Sequence, residues 1–171
     1  MLVDLLGIKA TDRCLEPHAG GGSFVRAMLR HSARVHASDI DSRCQGLVDA
    51  PFSRVADFLI DPPDRSSFDV IAGNPPYKNA ISHAEQGLRI VKPGGYVAYL
   101  LRMGFLASKG RSPFWEKNPC RRVYILDERP SYTDGGTDRY DYAWFVWQRG
   151  WTGATTLHHL RWKRAVLALS R

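Results

Sequence analysis

Between residues 13 and 102, short apolar runs alternate with amphipathic segments, and this alternation narrows the fold more than any other feature of the chain. "RCLEP" (13–17) and "RVHASD" (34–39) have the length and apolar content of strands, and "RVADFLI" (54–60) ends in a third strand or strand-like turn. "SFDVIAG" (67–73) and "YVAYLLR" (96–102) are nearly continuous apolar runs, the pattern of strands buried on both faces. "GSFVRAMLRH" (22–31), "SRCQGLVD" (42–49) and "ISHAEQGLRIVK" (81–92) repeat their apolar residues at helical spacing, and the last is stopped by Pro93-Gly94-Gly95. The opening "MLVDLLGIKATDR" reads as part of a helix. A β-α-β-α rhythm of this kind predicts an α/β fold with a doubly wound, mostly parallel sheet.

After residue 102 the pattern changes. "GFLASKGRSPFWEKNP" predicts a loop with one helical turn. "RRVYILDE" (121–128) and "YDYAWFVWQRG" (140–150) predict strands separated by the turn-rich "RPSYTDGGTDR", an antiparallel hairpin at the sheet edge. Alternation puts Ala143, Phe145 and Trp147 on one face and Tyr142, Trp144 and Val146 on the other, as core rather than as a platform for bases. The segment from "HHLRWKRAVLAL", with Leu160, Ala165, Val166 and Leu169 apolar, predicts that 151–171 is a helical tail. No repeat or low-complexity linker divides the chain, so one domain is expected over 1–171, without a separate recognition domain.

Composition limits the setting. No run approaches the roughly 18 apolar residues of a membrane span, and no signal-peptide pattern opens the chain, so a cytoplasmic protein is expected. Cys14, Cys44 and Cys120 are far apart and form no CxxC pair, which argues against a disulfide framework or a zinc site. The formal net charge of +7 is unevenly placed. Residues 1–101 carry 11 Lys/Arg against 11 Asp/Glu, whereas residues 102–171 carry 13 against 6. A basic half beside a neutral half suits a polyanionic partner; a solvated basic surface is the alternative.

Two motifs carry chemistry. "LEPHAGGGSF" (15–24) follows the first strand and opens a helix, where glycines admit a ligand close to the backbone. It lacks the G-x-G-x-x-G spacing of dinucleotide sites. Glu16 would repel a pyrophosphate but suits a ligand with an ammonium group. In "ASDID", Asp39 stands at the end of the second strand, placed to accept ribose hydroxyls, while Asp41 reads as the N-cap of the next helix. A nucleoside with a cationic, amino-acid-like end is implied, and S-adenosylmethionine fits that description. "GNPPYKN" (73–79) then places an amide, two prolines and an aromatic ring after a buried strand, a stiff turn able to grip a planar, amide-like group. "DPPD" (61–64) has two prolines but no aromatic, and reads as an exposed loop.

"LEPHAGGGSF", "ASDID", "ADF" and "NPPY" in this order resemble the class I S-adenosylmethionine-dependent methyltransferases, in particular the N6-adenine DNA methyltransferases and their small phage- or prophage-type members. The resemblance covers residues 13–102, and the "RPSYTDGGTDRYDYAWFVW" hairpin also looks like that small subgroup. It implies a Rossmann-like sheet of seven strands in a bacterial or phage-encoded enzyme. Glu16, Pro17, Gly20 and Gly22 would line the methionine end of the cofactor, and Asp39 and Ile40 its ribose side. Asp57 and Phe58 would meet the cofactor adenine. Asn74, Pro75, Pro76 and Tyr77 would form the catalytic tetrad, with Asn74 also beside the cofactor. The Asn74 side-chain oxygen and the Pro75 carbonyl would take the two N–H bonds of an exocyclic amine, and Tyr77 would stack on its ring. The sulfonium makes the methyl group electrophilic, so no metal is expected.

Arg111, Lys117, Arg121, Arg122, Arg139, Arg161, Lys163 and Arg164 are the candidate phosphate contacts, with Trp115, Tyr132 and Trp162 near them in sequence. The leading expectation is methyl transfer to the N6 amino group of adenine in DNA. The alternatives are another planar amine (an RNA base, cytosine N4 or a protein glutamine), or a nucleic-acid-binding protein on this fold without catalysis. With no recognition domain expected, either sequence specificity is weak or a homodimer or specificity partner supplies it. The N-terminal segment lacks the aromatic that usually completes such a cofactor pocket.

Overall fold

The computed structural model describes residues 2–128 and 139–161. Eight strands form one sheet: β1 (Cys14–Glu16), β2 (Val35–Asp39), β3 (Phe52–Val55), β4 (Phe68–Gly73), β5 (Val91–Arg102), β6 (Arg122–Leu126), β7 (Tyr142–Gln148) and β8 (Thr156–Leu160). Their order across the sheet is β3-β2-β1-β4-β5-β7-β6-β8. The first five run parallel, and β7 is antiparallel to both β5 and β6. The helices are α1 (Leu2–Leu5), α2 (Ser23–Leu29), α3 (Gln45–Asp49), α4 (Ala80–Ile90) and α5 (Ser112–Lys117). This is the doubly wound, mostly parallel α/β sheet with an antiparallel hairpin that the alternation predicts.

Both faces of the sheet are covered. One core layer contains Val25, Met28, Val35, Tyr142, Trp144 and Val146. The other contains Leu15, Ile71, Ala84, Tyr99, Phe145 and Trp147. Successive β7 residues thus feed opposite layers, as period-two alternation requires. Every residue from Tyr142 to Trp147 is at most 1% exposed, which accounts for the aromatic density of that strand.

Four expectations are corrected. The sheet has eight strands rather than seven, because Thr156–Leu160 is a strand and not the start of a helical tail. It pairs parallel with β6 from Arg122↔Thr156 to Leu126↔Leu160. An open edge on β6 offered backbone partners, and Thr155 fixes the approach by donating its hydroxyl to the Cys120 carbonyl at 2.7 Å. The rest of the expected helix lies outside the described residues.

The third strand ends at Val55, so the ADF motif lies beyond it. Asp57 stops the strand by closing its own turn, accepting the Leu59 N–H on Oδ1 at 2.8 Å. Asp41 is not a helix cap: Cys44 is the residue before α3. The Asp41 carboxylate instead accepts from the Arg43 backbone and guanidinium at 2.8–2.9 Å. Finally, β5 begins at Val91 rather than 96, with an irregular register against β4 after Phe68.

Candidate functional site

In a parallel sheet, the carboxyl ends of neighbouring strands share one edge, and a ligand crevice opens where the strand order reverses. Here that reversal lies between β1 and β4. Glu16 ends β1, Asp39 ends β2, Asp57 and Phe58 follow β3, and Asn74 follows β4. The fold thus brings the motifs of 13–77 to a single edge.

The glycine loop is built by backbone hydrogen bonds. Gly22 N–H donates to the Ala19 carbonyl at 2.8 Å, and Ala19 N–H to the Ser38 carbonyl at 3.0 Å. Gly22 precedes α2 with φ of 80°, a left-handed conformation that a Cβ would strain. An added Cβ there would also collide with the Asp49 carboxylate. Asp39 holds the loop from the side: Oδ2 accepts the Gly20 N–H and Oδ1 the Asp41 N–H, both at 3.0 Å. The Cys44 thiol also hydrogen-bonds this carboxylate, which leaves one lone pair for a hydroxyl. Ile40, next to it, is 72% exposed.

Glu16 is fully buried. Its Oε1 accepts the His18 N–H at 3.0 Å, while Oε2 has no partner among the described residues. Burial pushes this carboxyl well above the usual range, the His18 N–H opposes the rise, and the Asp39 charge adds to it. Gly73 leaves room for the side chain, since a Cβ at 73 would overlap Oε1. A buried acid without a cation is costly unless something neutralises it. The donor set therefore fits an ammonium-bearing ligand: an orphaned carboxylate oxygen, a glycine cradle, and Asp39 for a hydroxyl.

Asn74 is half-buried, and its Oδ1 is buried with no hydrogen-bond partner among the described residues. Pro75 is buried, Pro76 exposed and Tyr77 half-buried. Tyr77 lines a cavity of about 650 Å³ together with Lys78, Arg102, Arg111, Arg139 and Tyr140. The Arg102 guanidinium carbon lies 5.0 Å from the Tyr77 ring centroid and 3.8 Å from that of Tyr140. A larger cleft of about 810 Å³, lined by Glu85, Arg89, Lys117 and Trp151, borders the later turns of α4 and contains none of the motif residues. In the "DPPD" loop, Asp61 and Asp64 are exposed and both prolines half-buried.

The candidate phosphate contacts among the described residues do not all line one cavity. Arg111 and Arg139 reach the Tyr77 cavity. Arg111 also staples its own loop, donating to the carbonyls of Gly104 at 2.7 Å and Ala107 at 3.1 Å. Arg121 donates to Tyr96 Oη at 3.1 Å and to Gln148, and lies over Trp151. Arg122 is half-buried on β6, Lys117 lines the other cleft and Arg161 is exposed. Lys163 and Arg164, with Tyr132 and Trp162, lie outside the described residues. Among those described, no three His, Cys, Asp or Glu side chains cluster as a metal site, and no helix is long and apolar enough to cross a membrane.

Sequence reasoning missed His18, His83, Arg102, Lys78 and Tyr140. His18 stands inside the glycine motif, and Lys78 and Arg102 each flank an assigned element, so adjacency alone pointed to them. His83 and Tyr140 left no such signal. Phe58 is 2% exposed and its ring lies against His83, so it is enclosed rather than open to a cofactor ring.

By sequence, the chain matches no family model and no curated protein. By structure it matches several methyltransferases. The M protein of the type I restriction enzyme EcoKI superposes with a TM-score of 0.73 at 14% identity, over 93% of this chain and 46% of that one. A modification subunit assigned to a type I restriction enzyme of Vibrio vulnificus YJ016 gives 0.66 at 18%, over 94% and 44%. A protein assigned as a class I S-adenosylmethionine-dependent methyltransferase from Listeria monocytogenes gives 0.68 at 15%, over 98% and 66%. The chain thus spans less than half of either restriction-enzyme subunit. At these identities the likeness shows a shared fold: the Rossmann-like sheet of these methyltransferases.

Proposed function

We propose that this chain is an S-adenosylmethionine-dependent methyltransferase that acts on the exocyclic amino group of a nucleic-acid base, with N6 of adenine in DNA as the target. One observation carries the reading. Asn74 holds a buried amide oxygen without a partner among the described residues, follows directly on the glycine that borders Glu16, and lies three residues before the ring that lines the cationic cavity. A hydrogen-bond acceptor buried without a donor costs about 1–3 kcal/mol, and a ligand N–H would relieve that cost, which supports the reading.

The cofactor, when bound, supplies a methyl group made electrophilic by its sulfonium. Glu16 would hold the cofactor ammonium and Asp39 a ribose hydroxyl. Asn74 Oδ1 and the Pro75 carbonyl would accept the two amine protons, drawing the nitrogen lone pair out of ring conjugation. Tyr77 would hold the ring plane, a contact worth about 1–3 kcal/mol. Alignment and acceptors aimed at developing positive charge would supply the rate.

The lining of the Tyr77 cavity favours nucleic acid over a protein amide. Lys78, Arg102, Arg111 and Arg139 stand there against one acid, Asp141. Phosphates flanking a base suit such a lining, whereas a glutamine side chain does not call for it. The type I modification subunits that share the fold support the same direction.

The test is transfer from labelled S-adenosylmethionine to unmethylated DNA, RNA and a glutamine-rich protein in parallel. Label in DNA supports the reading. Label confined to RNA or protein reassigns the substrate, and no binding of the cofactor returns the chain to a non-catalytic binder.

A further inference from the structure

The described site contains a polar contact with no assigned role. His18, in the glycine loop, and His83, one turn into α4, place Nε2 and Nδ1 2.9 Å apart, so one ring donates to the other. His83 is 6% exposed, and the His18 side chain 12%. The Phe58 ring of the ADF turn lies parallel to His83, with centroids 5.9 Å apart at 5°, and edge-on to His18 at 5.8 Å. From below, Tyr99 Oη of β5 donates to the His83 carbonyl at 3.4 Å. Three chain segments separated in sequence by the sheet thus meet at one buried imidazole.

An ordinary core histidine would satisfy both ring nitrogens. Here His18 Nδ1 is buried with no partner among the described residues, 3.9 Å from Glu16 Oε1, beside the orphaned Oε2. The pair therefore keeps an open hydrogen-bonding position on the side of the glycine loop. Groups facing the pair are Glu16 from β1, Asp57 from the turn after β3 and Tyr99 from β5. Each imidazole can serve as donor or acceptor only while the pair holds at least one neutral ring.

We propose that His83 is a positioning residue that ties the glycine loop and the ADF turn to the helix leaving the NPPY tetrad, so that ligand binding at the loop and placement of Asn74 are coupled. This rests on the reading of the loop as a cofactor site. α4 begins at Ala80, six residues after Asn74, and His83 is on its first turn. Movement of His18 on ligand binding would therefore be passed to the start of α4 through a single hydrogen bond.

The test uses the full chain and two variants. His83→Phe keeps a ring against Phe58 and removes the hydrogen bond. His83→Asn puts an amide atom where Nδ1 stands and restores it. In cofactor-free protein, amide exchange of residues 18–23 and 74–80 is expected to rise roughly tenfold in the Phe variant and to return to within about threefold in the Asn variant. Affinity for S-adenosylhomocysteine, measured by calorimetry, is expected to follow the same order.

Exchange unchanged in H83F, or an Asn variant as weak as the Phe variant, would overturn the proposal. Imidazole ¹⁵N shifts of the wild type give an answer that needs no variant. A fixed tautomer on each ring supports the contact, and shifts averaged between tautomers overturn it. A wild type that binds no S-adenosylhomocysteine, with the exchange result as expected, would remove the cofactor reading and the coupling with it, while leaving the histidine contact standing.

Discussion

Asp39 Oδ2 accepts the backbone N–H of Gly20 at 3.0 Å, so the residue expected to meet a ribose is also the one that holds the glycine loop in place. Its other oxygen accepts the Asp41 N–H at the same distance. Hydrogen bonds to a charged group are worth about 1.5–3 kcal/mol each, so Asp39→Ala is expected to lower unfolding stability by about 2 kcal/mol as well as weaken cofactor binding. Asp39→Asn, which keeps one acceptor, should fall between. Denaturant unfolding alongside calorimetry separates the two effects. An Ala variant of native stability would mean the carboxylate does not organise the loop.

If Glu16 holds the cofactor ammonium as proposed, cofactor binding is expected to be proton-linked. Burial holds its folded pKa well above the ordinary 4.5, so the folded state keeps a proton that the unfolded chain loses. Its contribution to stability is therefore full below about 4.5 and is lost as pH rises through the folded value. Glu16→Gln is expected to gain thermal stability relative to wild type as pH goes from about 5 to about 8. An ammonium ligand would pull the carboxyl back to its charged form and release a proton. Calorimetry in buffers of different ionisation enthalpy should detect that release in wild type and not in E16Q.

The histidine pair acts in the opposite direction. Burial and mutual repulsion hold His18 well below 6.5, and burial lowers His83 despite the nearby Asp57. Both rings are neutral when folded, so their contribution is full above about 6.5 and falls as pH drops below it. The pH dependence of melting in E16Q, where the Glu16 contribution is gone, should show this loss between about 6.5 and about 5, before the aspartates with lowered pKa (Asp4, Asp41, Asp49 and Asp69) add theirs at lower pH. A flat profile below 6.5 would count against neutral, buried rings.

Gly73 borders Glu16 so closely that any Cβ displaces the carboxylate. Gly73→Ala is expected to destabilise the fold by about 1–3 kcal/mol, as overpacking does, and to reduce cofactor affinity, because Glu16 must move. Gly104→Ala, where a Cβ meets nothing within 4 Å, is the matched control and should bind normally.

The parts of the fold that were legible are those with a strong local pattern. The alternation in β7 placed Phe145 and Trp147 on one layer and Trp144 on the other because a doubly buried strand has no other way to satisfy its side chains. Thr156–Leu160 was illegible because its partner, the open edge of β6, is chosen by tertiary pairing and not by its own sequence. The motif residues Glu16, Asp39 and Asn74 could be read because the first two end strands and the third directly follows one. His83 could not, because its role depends on a helix packing across the sheet edge onto a loop 65 residues earlier. The basic half was legible in count but not in place: Arg121 serves the fold and Arg139 the cavity, a division set by the sheet.

The central claim is that the amide oxygen of Asn74 receives an exocyclic amine. The most direct measurement is nucleoside mass spectrometry of unmethylated DNA after incubation with S-adenosylmethionine and either wild type or Asn74→Ala. The account predicts N6-methyldeoxyadenosine from wild type, a loss of roughly 10²–10³-fold or more in rate for N74A, and cofactor affinity in N74A within a few-fold of wild type. Near-normal turnover by N74A would contradict it.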